Sequence, residues 1–175
     1  MSQPKGFEET MEIPEGIEVT LDRTILTVKG KEGENQRNFA NPILNIEKKD
    51  NGILLRTKNI TKKEKRILNT HKSHFKNMIQ GVQEKYSYQL KICSGHFPMT
   101  VTLENKVLVI KNFLGEKIPR KTKLPEDIEV KIEGDIINVS GTDKEKTSQT
   151  AAKIEQTTRI TNRDPRIFQD GIWKI

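Results

Sequence analysis

Apolar and polar residues alternate along several short segments of the chain. The alternation is clearest at residues 17–21 and 128–132, where every second side chain is aliphatic. Side chains two residues apart point to the same face of a strand, so this period predicts β-strands with one buried and one solvated face. The segment Asp50-Asn51-Gly52 is typical of a tight hairpin turn between two such strands.

Two segments carry helix signals instead. Thr61-Lys62-Lys63-Glu64 and Thr142-Asp143-Lys144-Glu145 both have the spacing of a capping box, in which the Thr hydroxyl and the Glu carboxylate satisfy amides of the first turn. In the first helix, apolar residues at the helical period predict a buried face of Ile67, Leu68, His71, Phe75, Met78, Ile79 and Val82. The second helix has a slimmer stripe of Thr147, Ala151, Ile154 and Thr158. We expect it to end before Pro165, whose ring disfavours a helical conformation at Asp164.

The chain contains an internal repeat. Residues 19–29 resemble residues 101–111, which lie 82 positions further on, and Lys63-Glu64-Lys65 matches Lys144-Glu145-Lys146 at a shift of 81. Matches in the same order at nearly one shift indicate two tandem copies of one module.

A second register competes with this repeat. Residues 13–19 resemble residues 124–130 at a shift of 111. That shift cannot also align the two Lys-Glu-Lys segments, so we interpret the match as two hairpins of similar local design.

The predicted architecture is α+β, with two tandem duplicated domains. Each domain is a small, mostly antiparallel β-sheet covered on one face by an α-helix, because strand signals come first and a helix signal last in each module. The predicted divisions are an N-terminal extension, a first α+β repeat, a second α+β repeat and a basic C-terminal tail, at residues 1–10, 11–83, 84–160 and 161–175.

The amino-acid composition predicts a small hydrophobic core and a basic surface. Apolar residues make up 33% of the 175 residues, and 31 Lys plus Arg against 24 Asp plus Glu give a formal net charge of +7. This surplus favours a polyanionic partner, with nucleic acid ahead of an anionic membrane surface.

The longest aliphatic run, residues 107–110, is too short to span a bilayer, and the N-terminus shows no apolar signal segment. A single cysteine, Cys93, cannot form an internal disulfide, so we expect a cytoplasmic, reducing environment.

The charges are distributed unevenly. Residues 8–22 contain six carboxylates and no basic residue. The predicted first helix carries Lys62, Lys63, Lys65, Arg66, Lys72 and Lys76 against Glu64 alone. A solvated outer face is the favoured interpretation of that cluster. Residues 117–123 contain no acid and the basic residues Lys117, Arg120, Lys121 and Lys123. Because Pro119 stiffens this segment, phosphate contact is the favoured interpretation there.

Residues 159–175 combine basic side chains with aromatic rings. The members of this set are Arg159, Arg163, Arg166, Phe168, Trp173 and Lys174. An arginine fork binds phosphate and stacks on bases, and aromatic rings stack on bases as well. The alternative for the apolar members is that Phe168, Ile172 and Trp173 pack back onto the second sheet. Arg163 and Arg166 would then still need an acidic partner or water.

Residues that could carry catalysis or bind a metal do not form a complete site. His71 and His74 are three residues apart on the predicted helix, but no Cys, Asp or Glu lies nearby to complete a tetrahedral set. Cys93 and His96 lie close along an apparent strand, where nucleophile–base pairs rarely form. Both glycine-rich phosphate-loop patterns are missing, so the sequence predicts no enzyme, no cofactor and no metal. Two alternatives stay open: a membrane-surface or protein-interaction module, and a small enzyme that uses His96 or the carboxylates Glu15, Glu18, Glu126 and Glu129.

Several motifs in the second half of the chain resemble one known family. They are His96-Phe97-Pro98-Met99-Thr100-Val101, Asn112-Phe113-Leu114-Gly115-Glu116-Lys117, Lys144-Glu145-Lys146, residues 149–156 and Arg163-Asp164-Pro165-Arg166-Ile167-Phe168-Gln169-Asp170-Gly171-Ile172. From about Met11 to Ile175 the chain is similar to protein six of the large ribosomal subunit, in its archaeal and eukaryotic branch. The last motif looks like the tail of the archaeal form.

This resemblance implies a fold, a role and partners. The fold is a duplicated α+β fold, and the role is that of a structural protein that supports translation and has no catalytic residues. It binds large-subunit (23S-type) rRNA mainly through the second domain, near the base of the acidic-protein stalk and the sarcin–ricin loop. The implied partners are this rRNA, neighbouring large-subunit proteins including the stalk base, and translation factors that dock nearby, with no membrane. The implied location is the large ribosomal subunit in the cytoplasm.

The resemblance also assigns individual residues. The basic positions of the family tail are matched by Arg159, Arg163 and Arg166. The family's Gly-Glu-Lys-x-Pro-Arg segment is matched at Lys117 and Arg120. Trp173 stands where Tyr is expected, which keeps a ring for stacking and removes a hydroxyl. With the charge pattern, the predicted rRNA-binding set is Lys117, Arg120, Lys121, Lys123, Lys153, Arg159, Arg163, Arg166, Trp173 and Lys174.

Overall fold

The structure is a computed structural model that describes residues 6–49, 52–59, 61–164 and 166–175. The chain divides into two compact units, Met1–Lys85 and Tyr86–Ile175, which we call unit 1 and unit 2. Within the described residues, each unit contains two antiparallel sheets and one long α-helix.

The described part of unit 1 contains six strands and one helix. Their bounds are β1 Glu8–Glu12, β2 Glu18–Asp22, β3 Ile25–Gly30, β4 Gly33–Asn38, β5 Leu44–Lys49, β6 Gly52–Thr57 and α1 Lys62–Gln83. One sheet has the order β1-β6-β5 and the other the order β2-β3-β4. Lys49 of β5 pairs with Gly52 of β6, and the predicted turn residues Asp50 and Asn51 lie outside the described residues. The helix packs against both sheets, and the most deeply buried core residues include Leu26, Val28, Leu55, Phe75 and Val82.

Unit 2 repeats this arrangement and adds a strand. Its elements are β7 Tyr86–Cys93, β8 Thr100–Glu104, β9 Val107–Lys111, a 3-10 turn Phe113–Gly115, β10 Arg120–Lys123, β11 Glu129–Glu133, β12 Ile136–Gly141, α2 Lys144–Thr157 and β13 Gly171–Lys174. One sheet has the order β10-β9-β8 and the other the order β11-β12-β7-β13. The helix α2 packs on β7, β12 and β13 and also contacts β10. The fully buried core of unit 2 includes Leu90, Ile137, Val139, Ile154 and Ile172.

The predicted α+β fold and its tandem duplication are confirmed. β2 and β3 correspond to β8 and β9, and α1 begins 82 residues before α2. The sheet β1-β6-β5 corresponds to the strands β7-β12-β11. Residues 13–19 lead into β2 whereas residues 124–130 lead into β11, so the match at a shift of 111 joins strands that are not equivalent. The strands of each unit lie in two sheets where one was expected, because alternation identifies a strand but not its pairing partner.

The predicted start of α1 is confirmed. Thr61 Oγ1 accepts a hydrogen bond from the Glu64 amide at 3.2 Å, and the Glu64 carboxylate accepts one from the Thr61 amide at 3.2 Å. These two bonds are the reciprocal pair of a capping box. The carboxylate of Glu64 is therefore hydrogen-bonded within the cap, although it is buried.

The predicted start of α2 is wrong by one residue. Asp143, not Thr142, caps the helix, and its carboxylate accepts from the amides of Glu145 at 2.8 Å and Lys146 at 3.3 Å. A carboxylate caps as well as a hydroxyl does, and its charge is also favourable at the positive end of the helix dipole. The helix ends at Thr157, before Asp164 as expected; Pro165 itself lies outside the described residues.

Residues assigned to the two ends of the chain take part in the sheets. β1 begins within the predicted N-terminal extension and pairs with β6. β13 lies in the predicted tail and pairs with β7, with Trp173 opposite Lys91. β1 contains three glutamates and a single buried residue, Met11, so its apolar pattern is too weak to reveal a strand.

Gly30, at the end of β3, lies in tight contact with the last turn of α1. A Cβ at this position would lie 2.8 Å from the Val82 carbonyl oxygen and 2.8 Å from Val82 Cγ2. One of these neighbours is backbone, so the strand or the helix would have to shift. We expect Gly30→Ala to lower the free energy of unfolding of unit 1 by about 1–2 kcal/mol, measured by urea denaturation followed by circular dichroism.

Gly95→Ala is the matched control for Gly30→Ala. A Cβ at Gly95 meets nothing within 4 Å, so this substitution should leave the unfolding curve nearly unchanged. Equal stability of the two variants would show that Gly30 is not needed for close helix–strand packing.

Candidate nucleic-acid interface

All the predicted RNA-contacting residues lie in unit 2. They are distributed over the loop before β10 (Lys117), β10 (Arg120, Lys121, Lys123), α2 (Lys153), the segment after α2 (Arg159, Arg163, Arg166) and β13 (Trp173, Lys174). Three hydrogen bonds join β10 to α2 and to the segment that follows it. Arg120 Nη1 donates to the carbonyl oxygens of Thr157 at 2.8 Å and Arg159 at 3.0 Å. Lys153 Nζ donates to the carbonyl oxygen of Lys123 at 3.3 Å. β10 therefore lies beside the C-terminal half of α2.

The alternation of β10 separates a buried face from an exposed one. Thr122 is buried, and its hydroxyl is hydrogen-bonded to the hydroxyl of Thr157. Lys121 and Lys123 alternate with Thr122 and are exposed. Lys117 is exposed in the preceding loop. These three lysines form no ion pair with the residues that the structure describes, so their charges face solvent.

Arg120 is held inside unit 2 by three sets of contacts. Besides the two carbonyl oxygens, the guanidinium donates to Glu116 through Nη2 at 2.6 Å and Nε at 2.9 Å. Its central carbon lies 4.4 Å from the centroid of the Phe113 ring. These bonds leave at most one of its five N–H donors for an external ligand.

The contacts with Arg120 also change the pKa of the Glu116 carboxylate. The hydrogen bonds from Arg120 are the largest cause that lowers the pKa of Glu116, and the charge of nearby Arg163 acts in the same direction. Arg120 thus joins the loop after β9 to the C-terminal end of α2, where a positive charge is favourable.

A stack of Arg163, Phe168 and His96 lies next to this link. The Arg163 guanidinium carbon lies 4.8 Å from the centroid of the Phe168 ring. The Phe168 centroid lies 4.8 Å from that of the His96 ring, with an interplanar angle of 36°. Phe168 packs against the core of unit 2, whereas Arg163 is exposed. A planar cation on an aromatic support can receive a phosphate at its edge or a base on its face.

Arg166 has an acidic partner, which is one of the two alternatives that the sequence left open. Its side chain is 88% exposed, and it donates to Asp164 through Nη2 at 2.8 Å and Nε at 3.1 Å. The hydrogen bonds from the side chain and the amide of Arg166 lower the pKa of Asp164. Because the pair lies on the surface, Arg166 can exchange this partner for a phosphate at little cost.

The apolar residues of the tail behave in two ways. Ile172 is buried and Phe168 is half-buried against the core, so the alternative that they pack onto unit 2 is confirmed for these two. Trp173 is 44% exposed and its indole N–H donates to the carbonyl oxygen of Gln169 at 3.1 Å. Lys174 Nζ lies 4.3 Å from the centroid of the Tyr88 ring. β13 therefore buries Ile172 and presents Trp173 and Lys174 at the surface.

Asp170 supports this region, although sequence patterns do not single it out. It is 2% exposed and accepts hydrogen bonds from the amides of Gly95 at 2.7 Å and His96 at 2.9 Å, and from His96 Nδ1 at 2.6 Å. Burial acts to raise the pKa of Asp170, but the bonds from His96 and Gly95 together outweigh it and lower the pKa. No local pattern in the sequence shows that Asp170 is buried, because its partners lie 74 and 75 residues away.

The residues considered for catalysis or metal binding are packed, hydrogen-bonded or exposed to solvent. His96 is bonded to Asp170 and lines, with Cys93, an open cavity of about 330 Å³. His71 packs edge-on against Phe39, and its ring centroid lies 6.3 Å from that of His74. In the described ranges, no group of three or more His, Cys, Asp or Glu side chains could hold a metal ion. The alternative carboxylates, all exposed, are Glu15, Glu18, Glu126 and Glu129.

No helix in the described part of the chain has an apolar stretch long enough to cross a membrane.

The repeat seen in the fold also appears in a comparison with known families. The sequence model of ribosomal protein L6 matches residues 13–85, within unit 1, and residues 97–171, within unit 2. The chain belongs to the ribosomal protein L6 family. This membership confirms the resemblance drawn from the tail and loop motifs. It also confirms that the chain is a structural protein and not an enzyme.

Relatives in this family match nearly the whole chain. The large ribosomal subunit protein uL6 of Methanobrevibacter smithii is 45% identical over 170 residues, which are 97% of this chain and 96% of that protein. The uL6 protein of Methanosarcina mazei is 45% identical over 171 residues, covering 98% and 97%. That of Natronomonas pharaonis is 39% identical over 163 residues, covering 93% and 92%.

Proposed function

We propose that the chain is a structural constituent of the large ribosomal subunit that binds large-subunit (23S-type) rRNA through unit 2. The observation that carries this proposal is a group of exposed cations on β10, α2 and the following segment, in a chain whose relatives are named as large-subunit proteins. The net charge of +7 suits a polyanion. Binding to phosphates gains free energy from the release of counterions.

The proposed contacts divide by chemistry. Exposed cations contact phosphate oxygens, and these are Lys117, Lys121, Lys123, Lys153, Arg159, Arg163, Arg166 and Lys174. Arg163 and Trp173 also offer flat surfaces on which an unpaired base can stack. Arg120 acts differently: its bonds to Glu116 and to the end of α2 support a role in positioning the loop and the tail rather than in direct contact.

We also propose a place for the chain on the ribosome. The resemblance of residues 112–117 and 163–172 to family motifs supports a position at the base of the acidic-protein stalk, beside the sarcin–ricin loop. The partners there would be this rRNA, neighbouring large-subunit proteins including the stalk base, and translation factors that dock nearby. The location would be the cytoplasm, as part of the large subunit.

Removing Arg163 and Arg166 together tests the tail contacts. We expect the full-length R163A/R166A chain to bind large-subunit rRNA of its own organism about tenfold more weakly at near-physiological salt. The slope of log affinity against log salt should also fall by roughly 1.4–1.8, because each lost phosphate contact removes about 0.7–0.9 from it. Filter binding from about 50 to 200 mM salt measures both quantities.

Two comparisons separate binding from folding in this test. Both arginines are exposed, so the melting temperature of the double variant should be nearly unchanged. K111A/K131A removes two other exposed charges of unit 2 and should affect binding much less. A large loss of thermal stability with unchanged RNA affinity would refute the contact role of these arginines.

A further inference from the structure

The outer face of α1 carries cations that the fold of unit 1 does not use. We define this face by Lys62, Lys63, Arg66 and Lys76, all of which are exposed. They form no ion pair with any residue that the structure describes. At 3.6 residues per turn, Lys62, Arg66 and Lys76 fall within about 80° of the helix circumference and span roughly 21 Å along its axis, and Lys63 lies about 60° beyond Arg66. The face is therefore a basic strip and not a scattered set of charges.

Other basic residues of α1 are engaged within unit 1. Lys72 forms an ion pair with Glu9 at 2.8 Å. Lys65 Nζ lies 5.9 Å from the centroid of the Phe7 ring. Glu9 lies in β1 and Phe7 directly before it, so both side chains contact the same edge of unit 1. The four cations of the outer face are the basic residues of α1 that have no such contact with the described residues of unit 1.

The duplicated helix α2 provides an internal comparison. Lys144 lies 5.6 Å from the Tyr86 ring centroid, Lys146 pairs with Asp127 at 2.8 Å, and Lys153 donates to the Lys123 carbonyl oxygen at 3.3 Å. Each lysine of α2 thus contacts its own unit, whereas four cations of α1 do not. Two copies of one module differ in this respect, so the fold itself does not require the exposed strip.

The strip is also unfavourable for the helix that carries it. Three of its members lie in the first five residues of α1, at the positive end of the helix dipole, and the last turn has no basic residue. Cations destabilise the first turn and stabilise the last, so the arrangement is the reverse of the one that favours helix stability. The first-turn amides of Glu64 and Lys65 are already bonded to Thr61.

The chemistry of the strip favours a nucleic-acid backbone over a protein partner. Protein interfaces depend on a buried aromatic or aliphatic anchor, and none of the exposed large hydrophobic residues of the described chain lies on α1. The residues between the cations are Asn69, Thr70 and Ser73. Long cationic side chains without an apolar anchor suit a row of phosphates, which are recognised by charge alone.

We propose that the outer face of α1 is a second RNA-binding surface, which holds the sugar–phosphate backbone of RNA through Lys62, Lys63, Arg66 and Lys76. It belongs to unit 1 and reads no base sequence. The proposal extends the proposed function of unit 2 and rests on it only in taking RNA as the partner.

The test compares two variants of the full-length chain with equal loss of charge. K62Q/K63Q/R66Q/K76Q removes the strip, and K31Q/K48Q/K49Q/K58Q removes four other exposed charges of unit 1. The probes are large-subunit rRNA of the same organism, a short RNA duplex of unrelated sequence, and poly-glutamate. The strip variant should bind both RNAs roughly 10- to 100-fold more weakly and lower the salt slope by about 3. The control variant should lose much less. The melting temperature of the strip variant should be unchanged or higher, because repulsion at the start of α1 is relieved.

Each other outcome overturns the proposal. Equal losses for the two variants would show that only net charge matters, and an unchanged salt slope would show that the strip touches no phosphate. Loss of poly-glutamate binding with RNA binding intact would identify an acidic protein as the partner. R163A/R166A is measured in parallel, so a failure of the tail contacts in unit 2 is distinguished from a failure of the strip in unit 1.

Discussion

Replacing Arg120 with alanine should lower the free energy of unfolding of unit 2 by about 2–4 kcal/mol, because several charge-assisted hydrogen bonds are lost from a partly buried site. The carbonyl oxygens of Thr157 and Arg159 lose their donor, and Glu116 loses both of its bonds to the guanidinium. The substitution also removes a positive charge from the negative end of α2. The segment that follows the helix would then lose its connection to β10.

Urea denaturation of the full-length chain, followed by tryptophan fluorescence, measures this effect. Trp173 is the single tryptophan and lies in β13, so its signal reports on unit 2. Lys121→Ala is the control, since it removes the same charge from the next, exposed residue and should leave the curve nearly unchanged. Arg120→Lys keeps the charge without the planar fork and should recover only part of the stability. An Arg120→Ala chain as stable as the unmodified one would contradict the positioning role.

The fold was largely predictable because its signals are local. The strand period and the helix stripe depend on residues near one another in the sequence, and the repeat at a shift of 82 shows the same local signals twice. The cap of α1 followed from Thr61 and Glu64. The cap of α2 did not, because Thr142 and Asp143 are adjacent and both can cap a helix. Strand pairing was not predictable in the same way, since β1 and β13 join the sheets through backbone bonds that their side chains hardly reveal.

The basic residues of the candidate site were visible in the sequence, but their division of labour was not. Arg120 and Arg163 both stand in basic segments and look alike as candidates. In the structure, Arg120 meets carbonyl oxygens 37 and 39 residues away, whereas Arg163 lies on Phe168 with an exposed guanidinium. Contacts between residues far apart in the sequence decide whether a basic side chain is bonded within the fold or is left exposed to a ligand. Local charge patterns do not show these contacts.

Replacing Asp170 with alanine should detach β13 and lower the free energy of unfolding of unit 2 by about 2–4 kcal/mol. Two amides and the His96 ring would lose Asp170, their buried acceptor. Ile172, which is fully buried two residues further on, would lose the anchor that places it in the core. Trp173 fluorescence should shift toward that of a solvated indole before the rest of unit 2 unfolds. Asp164→Ala, in the exposed pair with Arg166, is the control and should leave both signals nearly unchanged.

The same carboxylate should make the stability of unit 2 depend on acidic pH. The pKa of Asp170 is lower in the folded chain than its ordinary value of 3.8, so its contribution is fully present above that value and is lost as pH falls through the folded pKa. Between about pH 4 and pH 2 the unmodified chain should therefore lose stability more steeply than Asp170→Asn, which has no carboxylate to protonate. Glu116, whose pKa is also lowered, keeps its share of the slope in both proteins. Parallel slopes for the two chains would show that the bonds to Gly95 and His96 do not depend on the charge of Asp170.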